Sequence, residues 1–190
     1  MMEMKSYAVI DCPEQSIISN KVVEYLKIHS DFFEDQVFHL WNKIDTVALL
    51  KAVPEIGIFF KSIKLSIREI SITVVNQYQD VGLHIDELPV RAKVNFPILN
   101  TKNTFNQWYE VPKEILETVD PIINQFGSAY YDLQSVDLNR CKKIDEFELL
   151  QPVVFNSQIP HRIHITSEAK LPRLVMPCTF FNEPIDWLLE

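Results

Sequence analysis

From Pro13 to Ser30 the apolar residues Ile17, Ile18, Val22, Tyr25, Leu26 and Ile28 recur near helical spacing, which predicts an amphipathic helix packed by one face. Asp45 stands before TVALLKAV as a helix N-cap, and Pro54 opens EIGIFFKS in the first-turn position that proline tolerates, so two short helices are expected to meet at that proline. From Ile67 the period changes to two. Ile70, Ile72, Val74, Asn76 and Tyr78 alternate with Ser71, Thr73, Val75 and Gln77, the mark of a strand. Val90 to Ile98 repeats the pattern, with Ala92, Val94, Phe96 and Ile98 set against Arg91, Lys93 and Asn95, so one face is expected to pack on helices while the other lines something polar.

Further along, Asn100 to Asn106 reads as a turn, QWYEV as a short strand and Pro112 to Val119 as one helix, whereas Asp120 to Asp145 shows no clear period. Four short strands are then predicted at Phe147–Leu150, Val153–Asn156, His161–Thr166 and Arg173–Phe181. The expected architecture is a mostly β sandwich or barrel with flanking N-terminal helices. It forms a single domain over 1–190, in which 1–62 is mainly helical support.

Composition sharpens this picture. Three Gly against eleven Pro, with abundant Ile and Val, favour proline-bounded strands over a helical bundle. A net charge of -8 argues against general nucleic-acid binding or capture by an anionic membrane, both of which need clustered Lys and Arg. Cys12, Cys141 and Cys178 are odd in number and far apart, so they read as reduced thiols. No apolar run approaches the roughly 18 to 20 residues of a membrane helix, and charges fall where a signal peptide would be apolar, so a soluble, cytoplasmic protein is expected. The aromatic residues Trp41, Phe59, Phe60, Trp108, Tyr109, Phe155, Phe180 and Phe181 are expected in the core, with a substrate-facing role open to Trp108 and Tyr109.

The candidate chemistry begins at His84-Ile85-Asp86, whose two-residue spacing on an extended strand sends an imidazole and a carboxylate to the same face. His161 follows a proline at the start of a predicted strand, and two histidines with one carboxylate make the facial set associated with non-haem Fe(II) oxygenases, which leaves metal positions open. His164 competes for the third place, but its three-residue separation from His161 puts the two on opposite faces of one strand. Ile163 and Ile165 share His161's side and can wall an apolar pocket, while Arg162 goes with His164.

The segments VNQYQDVGLHIDELPVRAKVNFPILNTKNTFNQWY and PVVFNSQIPHRIHITSEAKLPRLVMPCTF resemble the double-stranded β-helix, a jelly roll of cupin-like form, of the Fe(II)/2-oxoglutarate-dependent oxygenases. The resemblance spans roughly residues 65 to 182 and is nearest to small members of the aspartyl/asparaginyl or prolyl hydroxylase type. It implies an enzyme that hydroxylates a small-molecule or peptide substrate, with Fe(II) as metal and 2-oxoglutarate and dioxygen as co-substrates. By the same resemblance His84, Asp86 and His161 are the iron ligands, His161 being preferred because the distal histidine follows such a Pro-His step. Arg173 anchors the distal carboxylate of 2-oxoglutarate, a role suited to a planar fork of donors. Many members carry Ser or Thr two residues after that arginine, where this chain has Val175. Asn95 is a further candidate for holding the keto acid, and Asn76 and Tyr78 are weaker ones.

Overall fold

The computed structural model describes residues 4–30, 39–88, 90–123 and 129–189. Strand β1 (Tyr7–Val9) precedes helix α1 (Gln15–His29), and strand β2 (His39–Lys43) precedes α2 (Thr46–Ala52) and α3 (Pro54–Ser62). There follow β3 (Ile67–Val75), β4 (Val81–Leu88), β5 (Ala92–Leu99), β6 (Thr104–Glu110), a single helical turn α4 (Lys113–Leu116), β7 (Ile122–Ile123), β8 (Ala129–Asp132), β9 (Lys142–Glu148), β10 (Val153–Asn156), β11 (His161–Ile165) and β12 (Arg173–Phe180).

The strands form two six-stranded antiparallel sheets, ordered β1-β10-β5-β12-β3-β2 and β7-β8-β4-β11-β6-β9. From β3 to β6 successive strands alternate between the sheets, as do β9 to β12, which is the interleaved order of a jelly roll. The N-terminal region is not only helical, since β1 and β2 form the two edges of the first sheet.

Local chemistry explains the helical boundaries. The Asp45 carboxylate accepts the Ala48 amide at 2.9 Å and caps α2, and Pro54 occupies the first turn of α3, where its missing N–H costs nothing. The turn before β6 places Asn100 and Asn103 at φ of 54° and 60°, a conformation asparagine tolerates better than most residues, so the strand resumes at Thr104 rather than after Asn106.

The largest core lies between the outer face of the first sheet and the helices. Ile18, Val22 and Leu26 of α1 and Ile56, Phe59 and Phe60 of α3 pack on Ile70, Ile72 and Val74 of β3 and Val94 and Phe96 of β5, and on Leu174, Met176 and Phe180 of β12. Every one of these strand residues belongs to a single parity, so the opposite parity faces the second sheet. Within the core Phe60 lies 5.0 Å from Phe180, edge to face.

Three expectations need correction. The strand predicted at Phe147–Leu150 is the end of a longer one, β9, which stops at Glu148. Its first residues are exposed and it lies at a sheet edge, as does β7 at the other with β8 beside it, and with no fully buried residue none of the three imposes the alternation a buried face would. The helix expected over Pro112–Val119 is only the turn α4. Phe181 falls one residue beyond β12 and is 76% exposed rather than core, whereas Phe59, Phe60, Trp108, Tyr109, Phe155 and Phe180 are buried. The Trp41 side chain lies outside the described residues.

Phe60→Ala should therefore destabilise the protein by about 3–5 kcal/mol, the usual cost of a large aromatic cavity, while Phe181→Ala should stay within about 0.5 kcal/mol. Urea unfolding of the two variants checks this, and comparable losses would contradict the assignment of the core.

Candidate metal centre and its cavity

Strand β4 carries His84 and Asp86, and β11 pairs with it so that His161 stands directly opposite His84. Between His161 and Ile163 the register slips by one residue, since Ile163 pairs with Val81, and β4 carries the resulting bulge. The Asp86 amide donates to the Ser157 carbonyl at 3.2 Å, which ties this end of β4 to the turn before β11. One nitrogen or oxygen from each of His84, Asp86 and His161 falls within 4.8 Å of the other two, so the three residues singled out in the sequence meet at one point.

Hydrogen bonding fixes how the imidazoles present themselves. His84 Nδ1 lies 2.7 Å from the Gly82 carbonyl, and His161 Nδ1 lies 2.8 Å from the Ile159 carbonyl, in each case two residues back along the chain. A carbonyl oxygen only accepts, so each Nδ1 is a donor, and Nε2 is the nitrogen whose lone pair the neutral ring offers to a metal. Those Nε2 atoms face the Asp86 carboxylate at 3.7 Å from His84 and 3.3 Å from His161. With both rings neutral, three electron-rich atoms converge there, an arrangement that a metal cation stabilises. The spacings suit donors about 2.1 Å from one metal, which sit roughly 3 Å from each other.

The cation present beside them belongs to the protein. Lys93 on β5 reaches across from the first sheet, and its Nζ lies 2.5 Å from Asp86 Oδ2 and 5.6 Å from the centre of the Phe155 ring. Burial pushes the Asp86 carboxyl up, but Lys93 and the two histidines more than offset it and hold the group well below its ordinary range. His84 is pushed down to about 3, chiefly by burial and then by His161, and so stays neutral and able to ligate.

The centre opens into a cavity of about 630 Å³ between the two sheets. Its walls from the first sheet include Ser71, Thr73, Lys93, Asn95, Arg173 and Val175, the parity left free by the helical core. From the second sheet come the metal trio with Asn106 and Ile163. Arg173 is 1% exposed, and among the described residues no carboxylate pairs with it. Its Nε donates to Thr104 Oγ1 at 3.0 Å while Nη1 is left without a partner, and burial pushes the guanidinium down to about 10, which leaves it charged at neutral pH.

His164 sits on the outer face of β11, its Nδ1 2.9 Å from an Asp80 oxygen that also accepts the Ile165 amide, and Arg162 joins the same carboxylate at 3.0 Å. Asn76 and Tyr78 lie past the end of β3, outside the cavity wall, and Tyr78 is exposed. Sequence reading missed the Lys93–Asp86 contact and the places of Thr104 and Asn106. The parity of Lys93 was visible, but its partner lies in the opposite sheet, and Asn106 was absorbed into a turn that ends three residues earlier.

The fold is shared with a solved structure. No family model and no curated protein matches the chain. HygX from Streptomyces hygroscopicus, solved with nickel and 2-oxoglutarate bound, aligns at a TM-score of 0.51 and 7% identity over 92% of this chain and 82% of that one. L-ribose isomerase from Cellulomonas parahominis aligns at 0.40 and 10% identity, over 95% of this chain and 90% of that one. Acireductone dioxygenase from Bacillus anthracis, with a cadmium ion in its active centre, aligns at 0.30 and 8% identity, over 95% of this chain and 96% of that one. The first likeness shows a common fold, and the other two are too distant to carry more.

Two outcomes follow. His84→Ala and His161→Ala should each weaken Mn(II) binding by more than about 100-fold, beyond the range typical of outer partners, while His164→Ala stays within a few-fold; isothermal calorimetry decides, and equal losses at His161 and His164 would overturn the trio. Because the folded pKa of His84 is about 3 against an ordinary 6.5, the unfolded chain takes up a proton first as pH falls, so metal-free protein loses stability from pH 6.5 downward. Asp86, held ionised in the fold, adds to the loss near and below its ordinary 3.8. Thermal melts at pH 7 and pH 5 should show a fall that His84→Gln reduces, and an unchanged fall in the variant would count against the buried neutral imidazole.

Proposed function

We propose that this chain is an Fe(II)- and 2-oxoglutarate-dependent oxygenase that hydroxylates a small-molecule or peptide substrate. The observation that carries the reading is Arg173: a charged guanidinium buried without a carboxylate, on the wall of the same cavity as two histidines and an aspartate with converging lone pairs. Burying an unpaired cation is costly, and an anionic ligand that arrives with its own carboxylate offsets that cost.

His84, Asp86 and His161 would hold the metal, and three protein ligands leave positions for a keto acid and dioxygen. Iron bound there would supply the redox chemistry that couples oxidation of the keto acid to hydroxylation of a substrate. The protein's own part is positioning. Thr104, which holds Arg173, pairs with Ile165, four residues beyond His161 on β11, a strand distance of about 13 Å. A short dicarboxylic keto acid held at the trio would turn its far carboxylate toward Arg173, and Asn95 of the first sheet lines the same cavity. Ile163, Val175 and Phe155 give the cavity apolar wall that keeps water away from the centre. That HygX, of the same fold, binds nickel and 2-oxoglutarate supports the reading.

A second reading has one observation in its favour. Lys93 already supplies a positive charge to Asp86, so the trio is partly neutralised without any metal, as suits a jelly roll used as a binding module. Metal affinity separates the two readings: the oxygenase binds Mn(II) or Fe(II) despite Lys93, and the module does not.

For the oxygenase, Arg173→Ala should leave metal affinity nearly intact and raise the dissociation constant for 2-oxoglutarate at least tenfold, since loss of a buried charge-assisted contact costs about 2–5 kcal/mol. Arg173→Lys should recover only part, because an ammonium keeps the charge but loses the fork. The readout is the weak visible absorption of the anaerobic Fe(II) complex titrated with 2-oxoglutarate. Wild-type protein that binds Fe(II) yet shows no such band at millimolar keto acid would end the oxygenase reading.

A further inference from the structure

Deep in the cavity the hydroxyl that family resemblance leads one to expect beside the arginine is missing, for position 175 is valine. Thr104 looks like its substitute, but its hydrogen bonds are already committed. Its Oγ1 lies 2.7 Å from the Thr101 carbonyl, which can only accept, so the hydroxyl proton points there. The same oxygen accepts Arg173 Nε at 3.0 Å. Thr104 therefore has no donor left for a ligand and serves to orient the guanidinium.

One strand step away, about 7 Å along β6 and on the same face, stands Asn106. It is 2% exposed, it lines the cavity with Arg173, and its Nδ2 is buried without a hydrogen-bond partner. Asn106 pairs with Ile163, which places it between the level of the metal trio and the level of Thr104. Arg173 Nη1, from the opposite sheet, is the other unpartnered buried donor lining this cavity among the described residues. Two orphaned donors that face one cavity from opposite sheets, one of them charged, suit a ligand that only accepts, and an ionised carboxylate is such a group.

We propose that Asn106 is a specificity-determining residue that grips the distal carboxylate of the keto acid together with Arg173, while Thr104 is a positioning residue for the arginine; this rests on the oxygenase reading above. The donor lost from β12 at Val175 is supplied from β6 in the opposite sheet. The site then selects a dicarboxylic keto acid against one of equal length that ends in a methyl group.

The test uses the full chain loaded with Mn(II), titrated by calorimetry with 2-oxoglutarate and, separately, with 2-oxopentanoate, which lacks only the distal carboxylate. Wild type should prefer 2-oxoglutarate by at least about tenfold, as expected where buried donors are left unpaired by the wrong ligand. Asn106→Ala should narrow that preference several-fold, Arg173 keeping the rest, with Mn(II) affinity unchanged. Asn106→Asp should bind 2-oxoglutarate more weakly still, because it sets a carboxylate against a carboxylate, and Asn106→Ser, which keeps a donor, should fall between Ala and wild type. Should the Asp variant fail to fold, the Ala and Ser variants carry the comparison. Asn106→Ala with the preference intact overturns the role of Asn106 and leaves the oxygenase reading standing. Wild type that binds Mn(II) but neither keto acid overturns both.

Discussion

Burial of one face of the first sheet beneath α1 and α3 is the constraint on which the rest of this protein depends. Strands β3, β5 and β12 give one parity of side chains to that apolar contact, where Ile72, Phe96 and Met176 meet Ile18, Phe59 and Phe60. Because the core is built outside the sandwich, the inner face of the sheet does not have to be apolar. It carries Ser71, Thr73, Lys93, Asn95 and Arg173 instead, and these residues shape a cavity where a two-sheet protein would ordinarily pack its interior. The helices thus stabilise the fold in a place that leaves the interior free for chemistry.

What bridges the sandwich at the site is polar and reaches from sheet to sheet. Lys93 crosses to Asp86, Arg173 crosses to Thr104, and the Phe155 ring stands edge-on to His161 at 4.6 Å. Charges buried this way cost more in desolvation than their contacts return unless they are well paired. Asp86 and Lys93 offset each other; Arg173 has only a hydroxyl. A sheet position flanked by Val75 and Leu174 would be more stable with an aliphatic residue, so the guanidinium is best understood through a ligand that completes it.

The second sheet sorts its polar residues by parity in the same way. On β11, His161 and Ile163 face the cavity while Arg162 and His164 face outward, where Asp80 gathers both side chains and the Ile165 amide. Gln107 extends this outer network by accepting from Arg162 at 2.7 Å and from the Tyr109 hydroxyl at 2.8 Å. Tyr109 is therefore occupied on the outer side of β6, whereas Trp108 belongs to the interior stack with Tyr7 and Phe155. Neither is among the cavity-wall residues, which leaves their open substrate-facing role without structural support.

How much of this was legible in the chain follows from the range over which each cause acts. Period-two alternation in β3 and β5 is local, so it announced both strands and, in β5, the parity that would become polar; the cap at Asp45 and the proline at Pro54 likewise announced α2 and α3. The two-residue spacing of His84 and Asp86, and the odd spacing of His161 and His164, settled which side chains can share a face before any fold was known. Edge strands β7 and β9, and β8 beside β7, left no such trace, because a strand without a buried face imposes no pattern on its sequence. Only the tertiary structure decided that Lys93 meets Asp86, that Thr104 spends its proton on Thr101, and that Arg173 and Asn106 keep unpartnered donors in one cavity. Each of these joins residues held by different strands or sheets, and a contact across a sandwich is set by packing and register, which no local spacing encodes.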